Sequence, residues 1–474
     1  MSNSKFSVKH CVLLPLLLIL TIVLFCLPAE SFGIAGLTVV QQRTIALFVF
    51  AACMWILEVV PAWATSIITM VLLIFTISDG AFGFFVHGVD NLGTTVSYKD
   101  FMAQFASPTI MLFMGGFVLA IAATKVGLDV VLAKVLLKPF GTNPKTVLLG
   151  ILLVVAVFSM FMSNTATAAM MLAFLAPVLK SLPADGKGKI GLALAIPIGA
   201  NIGGIGTPIG TPPNVIALGY LKENLGIEVG FGEWCVRMVP YVLVMLLIAW
   251  IFLLLFFPFK AKEIKLEINS DKKKDYKFWV VAATFIITIA LWLIPEKITN
   301  LNSNEVALIP FAIFVATGVF EKKDFAEINW DVLWMVAGGL ALGTALMKTG
   351  LAKVLVDTIP FSTMPALVVI LVSGIVGYAI ANFLSHTSAA NLLLPILATV
   401  AAAVDLSAFG GSAALLIGLA ISTSVAMILP ISTPPNAIAS STGLVETKDM
   451  AKMGIIMGIV GLILGYGVLI FVGF

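Results

Sequence analysis

Ser163-Asn164-Thr165, followed by Thr211-Pro212-Pro213-Asn214, is the stretch that decides the fold, because the chain writes it again as Ser385-His386-Thr387 followed by Thr433-Pro434-Pro435-Asn436. Both elements return 222 positions later, at 163 to 385 and 211 to 433. Upstream, Gly115-Gly116 recurs as Gly338-Gly339, and the Lys-x-Gly-Leu of Lys125 to Leu128 recurs at Lys348 to Leu351. Four landmarks in one register mean that two halves share one fold. Each half sets small polar residues and prolines inside apolar sequence, which in lipid is costly unless something is bound there.

The composition fixes the compartment. Hydrophobic residues make up 60% of the chain and charged residues 11%, with a mean hydropathy of +1.12. Apolar runs of about 20 residues, enough to cross a bilayer, recur along almost the whole length. The chain reads as an all-α polytopic membrane protein, and an ordinary soluble protein is excluded. The first apolar run has no small-x-small cleavage site at Pro28-Ala29-Glu30, so a retained helix is expected rather than a signal peptide. Cys11, Cys26, Cys53 and Cys235 show neither metal spacing nor a disulfide framework, and read as small apolar packing residues.

Polar breaks divide the sequence into helices near 11–28, 38–60, 62–78, 107–137, 187–221, 234–258, 277–295, 304–320, 330–357, 411–445 and 450–474. Segments 145–180 and 365–404 are too long for one helix and carry the Ser-x-Thr triplets at their middles. They are expected to be re-entrant helix-tip-helix hairpins, tolerable in a membrane only where they line an enclosed cavity. Eleven spans result. The cations then test the topology. Lys5, Lys9, Lys134, Lys138, Lys145, Lys180, Lys187, Lys189, the run Lys260 to Lys277, Lys322, Lys323, Lys448 and Lys452 fall on one side; Arg43, Lys99, Lys222, Arg237, Lys297, Lys348 and Lys353 fall on the other. This bias predicts a cytoplasmic N-terminus, an external C-terminus and an inverted-topology repeat.

The expected division is therefore N-terminal scaffold helices over 1–106, a first inverted repeat over 107–233 with its hairpin facing the cytoplasm, and connecting helices with a Lys-rich cytoplasmic loop over 234–329. A second repeat over 330–449, with its hairpin facing outward, and a last helix over 450–474 complete it. Inverted repeats with broken helices meeting at mid-membrane are a mark of secondary transporters.

Each half supplies a hairpin tip (163–165, 385–387) and a helix break (206–213, 428–435). Glycine permits unwinding at Gly203-Gly204-Ile205-Gly206, and proline ends the incoming helix and suits the first turn of the next. Helix N-termini at such breaks offer free N–H groups to an oxyanion, and helix C-termini offer carbonyls which, with Ser, Thr and Asn oxygens, suit a hard cation such as sodium. No Arg or Lys stands at any of the four interruptions. An anionic substrate would then be held by dipoles, hydroxyls and amides, with bound cations neutralising it. A lone Ser or Thr in a helix is more often bonded back to its own carbonyls; it is the duplication that favours a site. Asn214 and Asn436 are expected to cap or tie the half-helices, and Glu58 and Pro61 to form a turn. His386, in place of the first triplet's Asn, is a candidate proton-sensitive or cation-replacing group.

These residues resemble the divalent anion/sodium symporter (DASS) family, which includes the INDY-type di- and tricarboxylate transporters, over nearly the whole chain. The resemblance implies a homodimer working as an elevator-type transporter in the bacterial cytoplasmic (inner) membrane, importing C4-dicarboxylates such as succinate, malate and fumarate with sodium. Other branches carry citrate or sulfate, or exchange dicarboxylates. It implies substrate contacts at Asn164, Thr165, Thr207, Pro208, Ser385, His386, Thr387 and Pro430. It also implies a first sodium site at Ser159, Ser163, Asn164 and the backbone of Gly206. The symmetry-related site would use Ser385, His386 and Ile428 with Ala381; here the chain departs from the pattern, since Ala381 has no hydroxyl and His386 is not Asn. Sodium is the only coupling ion implied, with no organic cofactor and no nucleic-acid partner. A sodium-independent exchanger is the main alternative. A membrane hydrolase using Ser163 or Ser385 with His386 is disfavoured because no carboxylate orients the imidazole, and a channel because broken helices meeting from opposite faces favour alternating access.

Overall fold

The computed structural model describes residues 12–183, 186–264, 266, 274–358 and 364–474. Lys5, Lys9, Cys11 and, within the Lys-rich stretch from Lys260 to Lys277, residues 265 and 267–273 lie outside the described residues. Among those described, the chain is helical apart from turns and one isolated bridge between Ser78 and Val96.

The N-terminal part comprises α1 (Leu14–Cys26), α2 (Val39–Leu57) and α3 (Ala62–Ile77), then the short α4 (Gly83–Val86) and α5 (Tyr98–Ala103), which the apolar-run reading did not include. Thr38 and Gln41 form a reciprocal cap at the start of α2. The expected turn at Glu58 and Pro61 is present: Glu58 ends α2 with a left-handed φ of 46°, and Pro61 precedes α3.

The segment expected as one helix over 107–137 is two, α6 (Pro108–Val126) and α7 (Leu128–Leu137). Gly127, with φ 75°, is the left-handed residue that closes α6. The counterpart over 330–357 likewise splits into α17 (Trp330–Lys348) and α18 (Leu351–Thr358), with Gly350 at φ 75°. The duplicated Lys-x-Gly-Leu is thus a duplicated helix stop.

Both hairpins form. α8 (Pro144–Ser159) turns into α9 (Asn164–Ser181), and α19 (Ala366–Ala381) turns into α20 (His386–Ala403). Both broken helices form as well: α10 (Gly188–Gly204) with α11 (Pro212–Leu225), and α21 (Gly411–Ser424) with α22 (Pro434–Ser441). Between the halves lie α12 (Phe231–Phe256), α13 (Tyr276–Leu293) and the short α14 (Glu296–Thr299). The expected helix 304–320 is interrupted, as α15 (Ser303–Val306) and α16 (Leu308–Ala316); α23 (Thr447–Phe471) closes the fold. The packing is reciprocal: α8 lies on α10 as α19 lies on α21, while α9 packs on α22 and α11 on α20. Each tip helix therefore covers the half-helix of the opposite repeat, which brings all four interruptions together.

Among the described residues, seven helices are long and apolar enough to cross a membrane. One of them is His386–Ala403, assigned above to a hairpin; the others of the expected spans are shorter or broken.

A further duplication emerges only in three dimensions. Lys99-Asp100-Phe101 is matched by Lys323-Asp324-Phe325, and each Asp pairs with the helix-stop Lys of the other half. Lys125 Nζ lies 2.6 Å from Asp324 and Lys348 Nζ 2.7 Å from Asp100. Lys125 also donates to the Val319 carbonyl at 2.8 Å. Beside it, Glu321 is pulled down to about 2 by hydrogen bonds from Lys323 and Lys277 and by the charge of Lys125. Asp324 is 3% exposed, whereas Asp100 is 36% and Lys348 52% exposed. Removing one partner of a buried pair strands a charge at a cost of about 3–5 kcal/mol, while exposed pairs contribute about 0–1 kcal/mol. Asp324→Asn should therefore lower the thermal unfolding temperature in detergent clearly more than Asp100→Asn. Equal losses would show that the two pairs carry equal weight.

Candidate substrate and cation site

The first tip is a turn from Met160 to Ser163. Ser163 caps α9, its Oγ accepting from the Ala166 N–H at 3.2 Å. Ser159 Oγ lies 2.5 Å from Asn164 Oδ1 and 2.8 Å from the Ala200 carbonyl. A hydroxyl has one proton and cannot donate to both. This is an oxygen-rich cluster in the last turn of α8, the first turn of α9 and the last turn of α10. Asn164 fits there because position 204 is glycine: a Cβ at Gly204 would sit 2.8 Å from Asn164 Oδ1. Of the four groups expected at the first cation position, Ser159 and Asn164 touch directly; Ser163 is spent in part on its cap. Gly206 donates its N–H to the Gly203 carbonyl at 2.9 Å.

Thr207 Oγ1 donates to the Met160 carbonyl, tying the break to the tip. Asn214 Nδ2 donates to the carbonyls of Gly204 at 3.2 Å and Thr207 at 2.9 Å. Trp234, fully buried on α12, donates its indole N–H to the Ile205 carbonyl at 2.8 Å. Carbonyls released by the break are thus claimed by two side chains, Asn214 and Trp234.

The second half repeats the design with different donors. Asn436 Nδ2 donates to the carbonyls of Met427 and Leu429, each at 3.0 Å, as Asn214 does in the first. Asn382, in the position of Met160, accepts the Ile428 N–H on Oδ1 at 2.9 Å and the Ser432 hydroxyl on its carbonyl at 2.8 Å. Ser432 does for the second tip what Thr207 does for the first. Thr433 caps α22, accepting from Asn436 N–H at 3.1 Å. Ser385 caps α20 and bonds Ser388 Oγ at 2.8 Å.

His386 is buried, and its Nε2 lies 2.6 Å from the Ala426 carbonyl. Ala426 occupies the place of Gly204, the residue against which Asn164 lies. Ala381, Ala389 and Ala426 pack together there, so the hydroxyl-rich corner of the first half is replaced by apolar surface and one imidazole.

Thr387 and Thr207 are buried, Thr165 is exposed, Pro208 is buried and Pro430 half-buried. A cavity of about 1030 Å³ passes between α6, α11, α12 and the α13–α15 segment; Pro208 and Val215 line it, as do Lys222 and Arg237. It brings solvent-sized space to the first break. Among the described residues no cluster of His, Cys, Asp or Glu suits a metal ion, so any cation held here would be held by neutral oxygens. Ala200, Trp234, Asn382 and Ser432 were missed by sequence reasoning. The 222-residue register points to Asn382 and Ser432 once Met160 and Gly210 are known to matter; nothing in the sequence marks Trp234.

Paired hairpins and paired broken helices, meeting with their ends at one uncharged polar centre inside an apolar bundle, define a multi-pass membrane transporter. The comparisons agree. The chain belongs to the family described as "Sodium:sulfate symporter transmembrane region", whose profile matches residues 7–472. It is a transporter, not an enzyme. It is 29% identical to the sodium-dependent dicarboxylate transporter SdcS of Staphylococcus saprophyticus, covering 95% of this chain and 89% of that one. It is also 29% identical to SdcS of Staphylococcus aureus, over 89% and 84%. The YdaH transporter of Alcanivorax borkumensis shares the fold at TM-score 0.57 and 13% identity, over 87% of this chain and 98% of that one. MtrF of Neisseria gonorrhoeae does so at 0.54 and 12%, over 86% and 94%.

Trp234→Phe keeps an aromatic ring but removes the donor to Ile205 together with part of the buried indole volume. A buried carbonyl left without a donor costs about 1–3 kcal/mol, so the variant should melt measurably earlier in detergent. An unchanged melting temperature would mean that the Ile205 carbonyl has another donor.

Proposed function

We propose that the chain imports C4-dicarboxylates such as succinate, malate and fumarate in symport with sodium, by an elevator movement of one domain against another. The observation that carries this reading is the oxygen cluster of Ser159, Asn164 and the Ala200 carbonyl, beside four helix N-termini and no fixed positive charge. Those N-termini, of α9, α11, α20 and α22, supply dipoles and N–H groups for two carboxylates. These are dipole ends rather than fixed cations, so co-bound sodium supplies the net positive charge that no side chain provides here. The relatives' description as sodium-dependent dicarboxylate transporters supports the same substrate and ion.

In this reading Asn164, Thr165, Thr207 and Pro208 from the first half and Ser385, His386, Thr387 and Pro430 from the second contact substrate. Sodium binds at Ser159, Ser163, Asn164 and the Gly206 backbone. Residues 1–106 and the connecting helices form the scaffold of a homodimer, and the hairpins with the broken helices form the moving part. The lysine bias supports a cytoplasmic N-terminus in the bacterial inner membrane. Sodium orders the tips, which completes the anion cavity before the loaded domain moves.

A second reading is favoured by one contact. His386 Nε2 stands on the Ala426 carbonyl, where the first half offers oxygens to a cation. A chain in which the imidazole serves in place of the second ion would exchange dicarboxylates without a sodium gradient. Citrate and sulfate remain candidate substrates in either reading, and a thermal-shift panel of these anions with sodium or potassium separates them.

Proteoliposomes test the first reading. Succinate uptake should require an inward sodium gradient, and Thr165→Ala with Thr387→Ala should abolish saturable uptake in a protein that still folds. Uptake indifferent to sodium would sink symport. His386→Asn should steepen the dependence on sodium if the imidazole occupies a cation position; an unaltered sodium curve would remove His386 from coupling.

A further inference from the structure

Asn201 lies one residue beyond Ala200 in the last turns of α10, is 1% exposed, and belongs to neither tip nor break. Its Nδ2 is 3.2 Å from Thr433 Oγ1 and 3.2 Å from Asn436 Oδ1, so it reaches from the first repeat into the second. Two of these three groups are held in place by backbone. Asn436 must present Oδ1 to Asn201, because its amide nitrogen is committed to the Met427 and Leu429 carbonyls. Thr433 Oγ1 is held by the Asn436 N–H. Asn201 is not held in this way: its own Oδ1 is buried with no hydrogen-bond partner. Such a buried carbonyl is costly and needs an explanation.

A half-turn of the Asn201 carboxamide exchanges nitrogen for oxygen. Asn201 Oδ1 would then stand near 3.2 Å from both Thr433 Oγ1 and Asn436 Oδ1. Adjacent ligands of a cation with bonds of about 2.4 Å stand about that far apart. The set carries no formal charge, which suits a monovalent hard cation; dedicated divalent sites use carboxylates. In the present rotamer the amide N–H group occupies the cation's place and holds the oxygens together.

We infer that Asn201, Thr433 and Asn436 form a further sodium site, between α10 of the first repeat and α22 of the second, made of other side chains than the Ser159–Asn164 cluster. Its occupant binds both repeats at once and clamps the first turn of α22, which the substrate reading places beside the anion. The register gives the mirror position Thr211, Asn214 and Thr423. There Thr423 replaces Asn201 and Asn214 Oδ1 is likewise buried without a partner. The Thr423 hydroxyl donates to the Ala420 carbonyl of its own helix at 3.0 Å, so no amide there bridges the two repeats as Asn201 does.

This inference rests on the sodium-coupled reading above, and the test separates the two. Full-length protein in proteoliposomes is assayed for the sodium-to-succinate ratio, from the sodium gradient at which net succinate flux reverses. Asn201→Ala should lower the ratio by one ion and flatten the sodium activation curve. Asn201→Asp, adding a negative ligand, should lower the half-saturating sodium concentration about tenfold, the effect of one added interaction of about 1.4 kcal/mol. Lithium and potassium serve as competing probes. A folded Asn201→Ala protein with an unchanged ratio overturns the site. Should Asn201→Ala fail to fold, Asn201→Ser retains an oxygen and Asn201→Asp supplies the decisive shift; an Asp variant with wild-type sodium affinity also overturns the site. A wild-type protein with no sodium-dependent flux refutes the symport reading instead, and that appears in the wild-type arm alone.

Discussion

Inside a bilayer, a backbone carbonyl released by a broken helix has no water to turn to. Everything at the centre of this protein follows from that constraint. The chain breaks four helical elements in one place, and each break frees carbonyls on one side and N–H groups on the other. Asn214 and Asn436 answer it identically, one carboxamide spanning two carbonyls of the preceding loop. Thr207 and Ser432 pin each break to its tip through the carbonyls of Met160 and Asn382. What remains unpaired after these ties is the binding capacity of the site. The structural asparagines therefore decide, by subtraction, which oxygens are left for a cation.

The two halves satisfy the same constraint by different means, and the differences are chemical rather than architectural. At the first tip one hydroxyl proton faces both an Asn oxygen and a carbonyl and can satisfy only one, leaving lone pairs in excess. At the second, Ala381 removes the hydroxyl and His386 sets a ring nitrogen against the Ala426 carbonyl, the counterpart of Gly204 rather than of Ala200. Oxygen excess invites a cation, and an imidazole donor at this corner reduces that excess. An ancient duplication would give two equal sites; here one half has kept the lone pairs and the other has filled them with N–H. The reciprocal Lys–Asp pairs show a comparable drift: the same residues in both halves, one pair buried and reinforced, the other exposed.

The architecture was legible because its signals are local. Proline at Pro212 and Pro434 and the glycines of the first break act within a turn or two, so helix ends could be placed from sequence within a few residues. Continuity was misjudged at Gly127 and Gly350, where a glycine preceded by lysine reads as tolerated inside a long helix but stops it. The tip residues were found through repetition, which needs no contact information. Trp234 was not, since it lies 29 residues from the carbonyl it serves and resembles any apolar helix residue. Asn201 is 232 residues from Thr433, and its first-half neighbours are apolar. Contacts between repeats are invisible to a register that compares the repeats with one another.

Such contacts are also where coupling has to reside. A substrate held only by one repeat would bind without sensing the other, and ion binding confined to one tip would order that tip alone. Helices α9 and α22 pack together, as do α11 and α20, so each tip is braced by the opposite break. Ordering one therefore orders the other. Asn201 is the polar side chain that crosses this seam at the level of the site, joining α10 to the capping residues of α22. Its position makes the first turn of α22 depend on the last turns of α10, where the neighbouring Ala200 carbonyl faces Ser159. In the proposed arrangement, a cation at the first tip and an anion at the N-terminus of α22 are thereby linked through the last turns of α10. No longer path is required for sodium and dicarboxylate to favour each other's binding.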